Sequence, residues 1–483
     1  MENAVDFQKK VNRSVKWSFL GTFFSKIATP LATIILARIL TPEMYGVTTA
    51  VTMVITFCEI VADSGFAKYL IHKDFESKEE YTKYFSVAIY SSLCFALIIC
   101  CFVIIFANPI SSLISNSGYE IVLIVATAQI PIYAVNAVFN ADLRRNFKFK
   151  KIFICSLVSS LTPIFVTVPL AILGLGYWSL VIGSIATILF QTILFVFFSK
   201  QKVVFFYSLK YLKDMFMYSF AMLLEAVIIW LCTWMAVFLA GTFYNSYYVG
   251  LFKVSNTTVT SIFGILSFSI NSVLFPSLSR IKSDDNQFRQ VFLKLQKLAF
   301  FIVVPMGIGM FLFSGLITEI MLGDQWTDAA SIIGLLGLSN IFKICYSYFL
   351  SESFRAKGNY FHSIIFQLIT LSFQIVLLVS IGSKNFDLFV LGYFLSNVFY
   401  AIVAIAYLVS LYKFNIRYLI KPIIPCLISS LVMIFVALPV LFDHYSYLRQ
   451  FCIALCCTIS YFATMSIVSK QTLNDFTSFL LEK

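Results

Sequence analysis

The chain is divided into fourteen apolar runs, each close to the ~20 residues that an α-helix needs to cross a bilayer. They fall near 17–38, 45–66, 84–107, 120–140, 152–173, 177–199, 216–240, 246–275, 298–318, 329–351, 360–381, 386–411, 420–441 and 448–469. Inside lipid every backbone polar group must find its partner within the segment, so runs of this length fold as helices. Composition agrees: of 483 residues 60% are hydrophobic and 12% charged, and the mean hydropathy is +0.90. The expected fold class is an all-α polytopic membrane protein of about fourteen transmembrane helices.

The loops between these runs alternate in charge. All but six of the 35 lysines and arginines lie at the termini or in every second loop, among them Lys68, Lys73, Arg144, Arg145, Arg280 and Arg355. The opposite loops hold Arg38, Lys384 and Arg449, and the last three cations lie within apolar runs. The rule that cytoplasmic loops carry the positive charge places both termini in the cytoplasm. The net charge of +12 is therefore topological and does not form a nucleic-acid-binding face. The opposite loops, such as 174–176 and 241–245, are too short for a catalytic domain. The first apolar run is too long for a cleavable signal peptide and no A-x-A-like site follows it.

The sequence resembles itself at an offset of about 204 to 211 residues. Ser77–Lys83 parallels Ser283–Arg289, Gly46 parallels Gly250, and Arg144 parallels Arg355. Gln129 and Asn136 fall opposite Asn340 and Ser347. The pattern predicts two pseudo-symmetric six-helix lobes, residues 1–200 and 201–415, with residues 416–483 supplying two further spans and a tail. Transporters built from parallel repeats bind cargo at the lobe interface near the bilayer midplane.

The three cations within apolar runs are Lys26, Lys253 and Lys343. A bare ammonium at bilayer depth is costly and faces a polar interior or a counter-charge. Polar residues accompany each at helical spacing: Thr22, Thr29 and Thr33 around Lys26, Asn256 and Thr260 after Lys253, Asn340 and Ser347 around Lys343. Gln129 and Asn136 form a similar stripe. Interhelical hydrogen bonding is the alternative use of such hydroxyls and amides. The cationic stripes predict a cavity for an anionic cargo.

Acidic candidates are fewer. Glu59, Asp63 and Glu225 lie within spans and are candidates for coupling to a cation or proton. A structural ion pair between Glu59 and Lys26 is the alternative for Glu59, and Asp63, beside Gly65, suits a helix-end role. Eleven cysteines form no C-x-x-C pair and read as packing residues. His72, His362 and His444 make no metal set. The sequence contains no Walker loop and no nucleophile with a base, so neither an enzyme nor a bound cofactor is expected.

Several segments resemble the polysaccharide-transporter branch of the MOP flippase superfamily. They are Trp17-Ser-Phe-Leu-Gly21, Leu36-Ala-Arg-Ile-Leu-Thr-Pro-Glu-Met-Tyr-Gly46, Asp63-Ser-Gly-Phe66, the Asn140–Lys151 loop, Gly174–Val181, Val273-Leu-Phe-Pro-Ser-Leu-Ser-Arg280 and Gly323–Ala330. The resemblance runs from about residue 10 to 410. It implies a flippase of the bacterial cytoplasmic membrane that moves undecaprenyl-diphosphate-linked oligosaccharides for O-antigen, capsule or exopolysaccharide synthesis. It also implies membrane lipid as a partner, with a polysaccharide polymerase and a chain-length regulator beside it. Lys26, Lys253 and Lys343 would then meet the diphosphate, and Arg144, Arg145 and Arg355 would collect the headgroup at the inner leaflet. The drug-exporting MATE branch shares this architecture and supplies the alternative, an antiporter of small organic cations; its acidic constellation is not seen here.

Overall fold

A computed structural model describes residues 4–114, 118–442 and 447–470. His444 and the tail after Lys470 lie outside them. Among the described residues the chain is helical, with no strand. Among the same residues thirteen helices are long and apolar enough to span a membrane, and a bent pair completes a fourteenth.

The chain separates into two compact units, residues 1–250 and 251–483. The first holds α1 (Lys16–Ala37), α2 (Pro42–Asp63), α3 (Lys78–Ile105), α4 (Glu120–Arg145), α5 (Phe149–Ile172) and α6 (Tyr177–Ser199). It also holds α7 (Leu209–Phe243). α8 is the bent pair, Ser246–Gly264 with Leu266–Arg280 at 42°, and its first turn counts with the first unit. The second unit contains α9 (Asp285–Leu312), α10 (Ala329–Lys357), α11 (Tyr360–Ser380), α12 (Phe386–Ser410), α13 (Ile416–Leu438) and α14 (Tyr447–Val468). The sequence boundary at residue 200 follows the count of spans, whereas this division follows packing: α7 lies along α2. Trp230 on α7 donates to Thr56 Oγ1 of α2 at 3.1 Å.

Helix starts are set by capping chemistry, which hydropathy does not register. α3 begins at Lys78, six residues before its apolar run, because Ser77 caps it and accepts from the Glu80 amide at 3.1 Å. The Glu80 carboxylate returns to the Glu76 amide at 2.7 Å, a variant of the capping box. α9 begins at Asp285, well ahead of residue 298, because Asp284 accepts from the amides of Asn286 and Gln287 at 2.9 and 3.0 Å. The two repeat-related turns thus do the same job, with the second cap one residue beyond Ser283.

Prolines inside the spans act differently by position. Pro131 and Pro425 sit in the first turn of a helical segment, where no intrahelical N–H bond is lost. Pro163 heads a π-helical segment, Pro163–Thr167, within α5. A second π segment, Lys343–Tyr348, interrupts α10.

In the first unit one buried cluster gathers Phe66, Tyr84, Phe85, Phe139 and Leu143, and another gathers Ile55, Val103, Leu123, Ile130 and Val181. In the second unit Phe292 meets Phe349 and Phe414 at ring distances of 5.4 and 4.8 Å. Gln296 is buried and donates to the Cys345 carbonyl at 2.9 Å. The Tyr461 hydroxyl donates to the Phe301 carbonyl at 2.9 Å, tying α14 to α9.

Candidate functional site

A cavity of about 520 Å³ lies inside the first unit, walled by α1, α2, α4, α5 and α6. Its polar lining includes Thr33, Glu59, Gln129, Tyr133, Thr187 and Gln191. The wall from α5 includes Pro163 and Thr167, the two ends of the π segment. α6 approaches that wall closely at Gly183, where an added Cβ would overlap the Thr167 side chain. A glycine is needed there so that the two helices can meet.

The hydrogen bonds of the lining have a definite sense. Thr33, Ser159, Ser184 and Thr187 donate their hydroxyl protons to carbonyls of their own helices at 3.0, 2.9, 2.8 and 2.7 Å. Each then presents oxygen lone pairs elsewhere. Gln191 Oε1 accepts from Asn136 Nδ2 at 3.3 Å. Asn136 also donates to Thr192 Oγ1 at 3.1 Å. Glu59 and the Tyr133 hydroxyl make no hydrogen bond among the described residues.

The structure distributes the sequence-predicted residues unevenly. Gln129 and Glu59 reach this cavity together. Asn136 does not line it; it is 5% exposed and holds Gln191 in place. Gln191, Tyr133 and Thr187 were not singled out in the sequence. Ser184, Thr187 and Gln191 repeat at three and four residues in an otherwise apolar run, a stripe that was available to be read. Asp63 ends α2 and accepts from the Ala67 amide at 3.4 Å, in the helix-end role considered for it. Glu225 is exposed on α7.

Lys26 is exposed on α1 and, among the described residues, has no ion-pair partner; the pair with Glu59 is not formed. Lys253 is half-buried on α8. Lys343 is exposed at the first position of its π segment, also without an ion pair among the described residues. Thr260 spends its hydroxyl proton on the Asn256 carbonyl at 2.7 Å. Asn340 is 7% exposed and donates to the Leu336 carbonyl at 2.8 Å, so its amide serves its own helix.

The three arginines differ. Arg145 donates to the carbonyls of Leu70 and Lys73 at 2.8 and 2.6 Å, closing the end of the short helix Phe66–His72, and lies 4.7 Å over the Phe75 ring. Arg144 is exposed and, among the described residues, donates only to Asn140 Oδ1, at 3.2 Å. Arg355 pairs with the buried Glu352 at 2.9 Å beside a cavity of about 310 Å³. In the first unit, the buried Asp142 carboxylate accepts from Ser199, Asn146 and Tyr81 at 2.7, 2.8 and 3.0 Å. Lys148 stands 3.8 Å from it.

A second large cavity, about 510 Å³, lies in the second unit. Its lining is almost wholly apolar, including Phe301, Met306, Phe313, Met433 and Phe462. Among the described residues no group of three or more His, Cys, Asp or Glu is arranged to hold a metal.

Residues 35–331 match the family model described as "Polysaccharide biosynthesis protein". The chain is 25% identical over 334 residues to the succinoglycan biosynthesis transport protein ExoT of Rhizobium meliloti (strain 1021). That match covers 68% of this chain and 66% of the relative, just under two thirds of its length. It is 20% identical over 338 residues to the lipopolysaccharide biosynthesis protein WzxC of Escherichia coli (strain K12), covering 69% and 67%. Among solved structures it is similar to the lipid II flippase MurJ in an inward closed conformation, with a TM-score of 0.75 at 20% identity over 95% of this chain and 100% of that one. A multidrug resistance MATE transporter of the MOP superfamily gives a TM-score of 0.64 at 17% identity, over 82% and 96%.

Proposed function

From the premise that the chain belongs to the polysaccharide biosynthesis protein family, on the fold of the MOP superfamily, we propose that it flips lipid-linked oligosaccharides across a bacterial cytoplasmic membrane. The cargo is an undecaprenyl-diphosphate-linked repeat unit destined for O-antigen, capsule or exopolysaccharide, and the motion is alternating access. The observation that carries the reading is the set of three ammonium groups on apolar helices. A lysine at the centre of a membrane helix costs about 2.5–3.5 kcal/mol on insertion scales. Lys26 and Lys343 lack ion-pair partners among the described residues to offset that cost. A diphosphate offsets it, because its oxygens accept charge-assisted hydrogen bonds from an ammonium.

The apolar cavity of the second unit supports the same cargo. Its ring and thioether lining suits an isoprenoid chain. Both termini lie in the cytoplasm, and a polymerase and a chain-length regulator act with the protein. Arg144 is the arginine open to an arriving headgroup, and Arg355 can meet one only beside its Glu352 partner, its side chain being 59% exposed; Arg145 is engaged in closing a helix.

The test is deletion followed by mass spectrometry of the lipid-linked oligosaccharide pool. An accumulated undecaprenyl-diphosphate intermediate is expected. Complementation with Lys253→Ala should give inserted protein and blocked export. Wild-type export from the Lys26/Lys253/Lys343 triple alanine would sink the cationic-site reading. An unchanged lipid pool with altered drug susceptibility would move the assignment to an organic-cation antiporter.

A further inference from the structure

We propose that the cavity inside the first unit is a carbohydrate subsite, in which sugar hydroxyls of the cargo are met by Glu59, Tyr133 and Gln191. The inference rests on the flippase reading above and gives the glycan its own place, apart from the diphosphate.

The cavity has the size and the chemistry. At about 520 Å³ it falls within the roughly 300–1,000 Å³ of small-molecule sites. Its lining offers hydrogen-bonding groups of both polarities. The back-bonded hydroxyls of Thr33, Ser184 and Thr187 leave lone pairs to accept with. Gln191 has its oxygen occupied by Asn136, which leaves its amide protons to donate. Tyr133 can do either, and the Glu59 carboxyl oxygens accept. A sugar hydroxyl is one donor and two acceptors, so a polyol can satisfy such a lining.

Other occupants fit less well. A divalent cation wants a cage of oxygens with several carboxylates. Glu59 is the single carboxylate among the lining residues, and Asp63 is turned to the Ala67 amide. A hydrocarbon chain would leave Glu59, Tyr133 and Gln191 unsatisfied, which each polar group resists. The walls are also built for a fixed shape: the π segment and Gly183 set how closely α5 and α6 approach. Asn136 fixes the Gln191 side chain from a buried position behind the wall.

The probe is the free oligosaccharide released by mild acid from the lipid-linked pool of a deletion strain. Purified full-length protein in detergent is titrated with it by calorimetry. Wild type should bind. Gln191→Leu and Tyr133→Phe, each near-isosteric, should weaken binding about tenfold by removing one hydrogen bond. Thr187→Val, on the same wall, supplies a third variant should either of these elute as aggregate. If no lipid-linked pool accumulates, the flippase reading fails and the subsite falls with it. If the pool accumulates but wild type does not bind the glycan, or folded variants bind it as tightly as wild type, the subsite alone is overturned. A sodium or proton response lost in Glu59→Gln with glycan affinity intact would reassign the cavity to a cation and overturn the proposal.

Discussion

Replacing Asp142 with alanine should cost the first unit about 3 kcal/mol, the worth of one to two hydrogen bonds to a charged acceptor. Its carboxylate is 1% exposed and joins three segments: Tyr81 on α3, Asn146 after α4, and Ser199 at the end of α6. Each hydrogen bond to a charged acceptor is worth roughly 1.5–3 kcal/mol net. The sum is not reached, because Asn146 keeps a second bond to the Asp142 carbonyl at 2.9 Å and the two hydroxyls can rotate. Lys148 contributes little: its side chain is 32% exposed, it stands 3.8 Å away, and it also donates to the Ser199 carbonyl at 3.1 Å. Lys148→Ala should therefore cost less than about 1 kcal/mol. The assay is reversible unfolding of the purified protein by SDS in mixed micelles, followed by tryptophan fluorescence. Asp142→Ala within 1 kcal/mol of wild type, or Lys148→Ala as damaging as Asp142→Ala, would refute this account of the cluster.

Other outcomes follow from the same geometry. Arg145→Ala should lose roughly 1–3 kcal/mol and Arg145→Lys should recover only part of it, since an ammonium can donate to the Leu70 and Lys73 carbonyls as the single nitrogen Nη1 does but has no guanidinium plane to lay over the Phe75 ring; Arg144→Ala should stay within about 0.5 kcal/mol in the same titration. Gly183→Ala should destabilise by about 1–3 kcal/mol through overlap with Thr167, and Thr167→Ala added to it should restore part of the thermal stability. In a cysteine-free background, Lys148→Cys and Lys384→Cys should react with an impermeant maleimide from opposite faces of the membrane; labelling from one face would refute the topology.

The sequence made the span count visible because hydropathy and loop charge are independent signals that agree. It misplaced the starts of α3 and α9, whose first turns are polar and held by Ser77 and Asp284. It identified Gln129 and Glu59 as wet residues but not that they share one cavity, since spacing orders a single helix face and says nothing of neighbours. Asn136 and Asn340 show the same limit: both amides are buried, one bracing Gln191 and the other bonded to its own helix. Arg145 looked like its exposed neighbour Arg144 because the carbonyls it reaches are more than seventy residues away.

The π segments at Pro163–Thr167 and Lys343–Tyr348 can be understood as one-residue insertions retained inside α5 and α10. Each turns everything downstream by roughly 100° relative to an unbroken helix of 3.6 residues per turn. Deleting a single residue there would restore α pitch and point the following side chains elsewhere, Glu352 and Arg355 among them. The spans affected are the fifth and the tenth, which the repeat does not pair. The fifth and tenth spans thus carry separate phase shifts, and each could change the face it presents by a deletion that leaves the membrane spans almost unaltered.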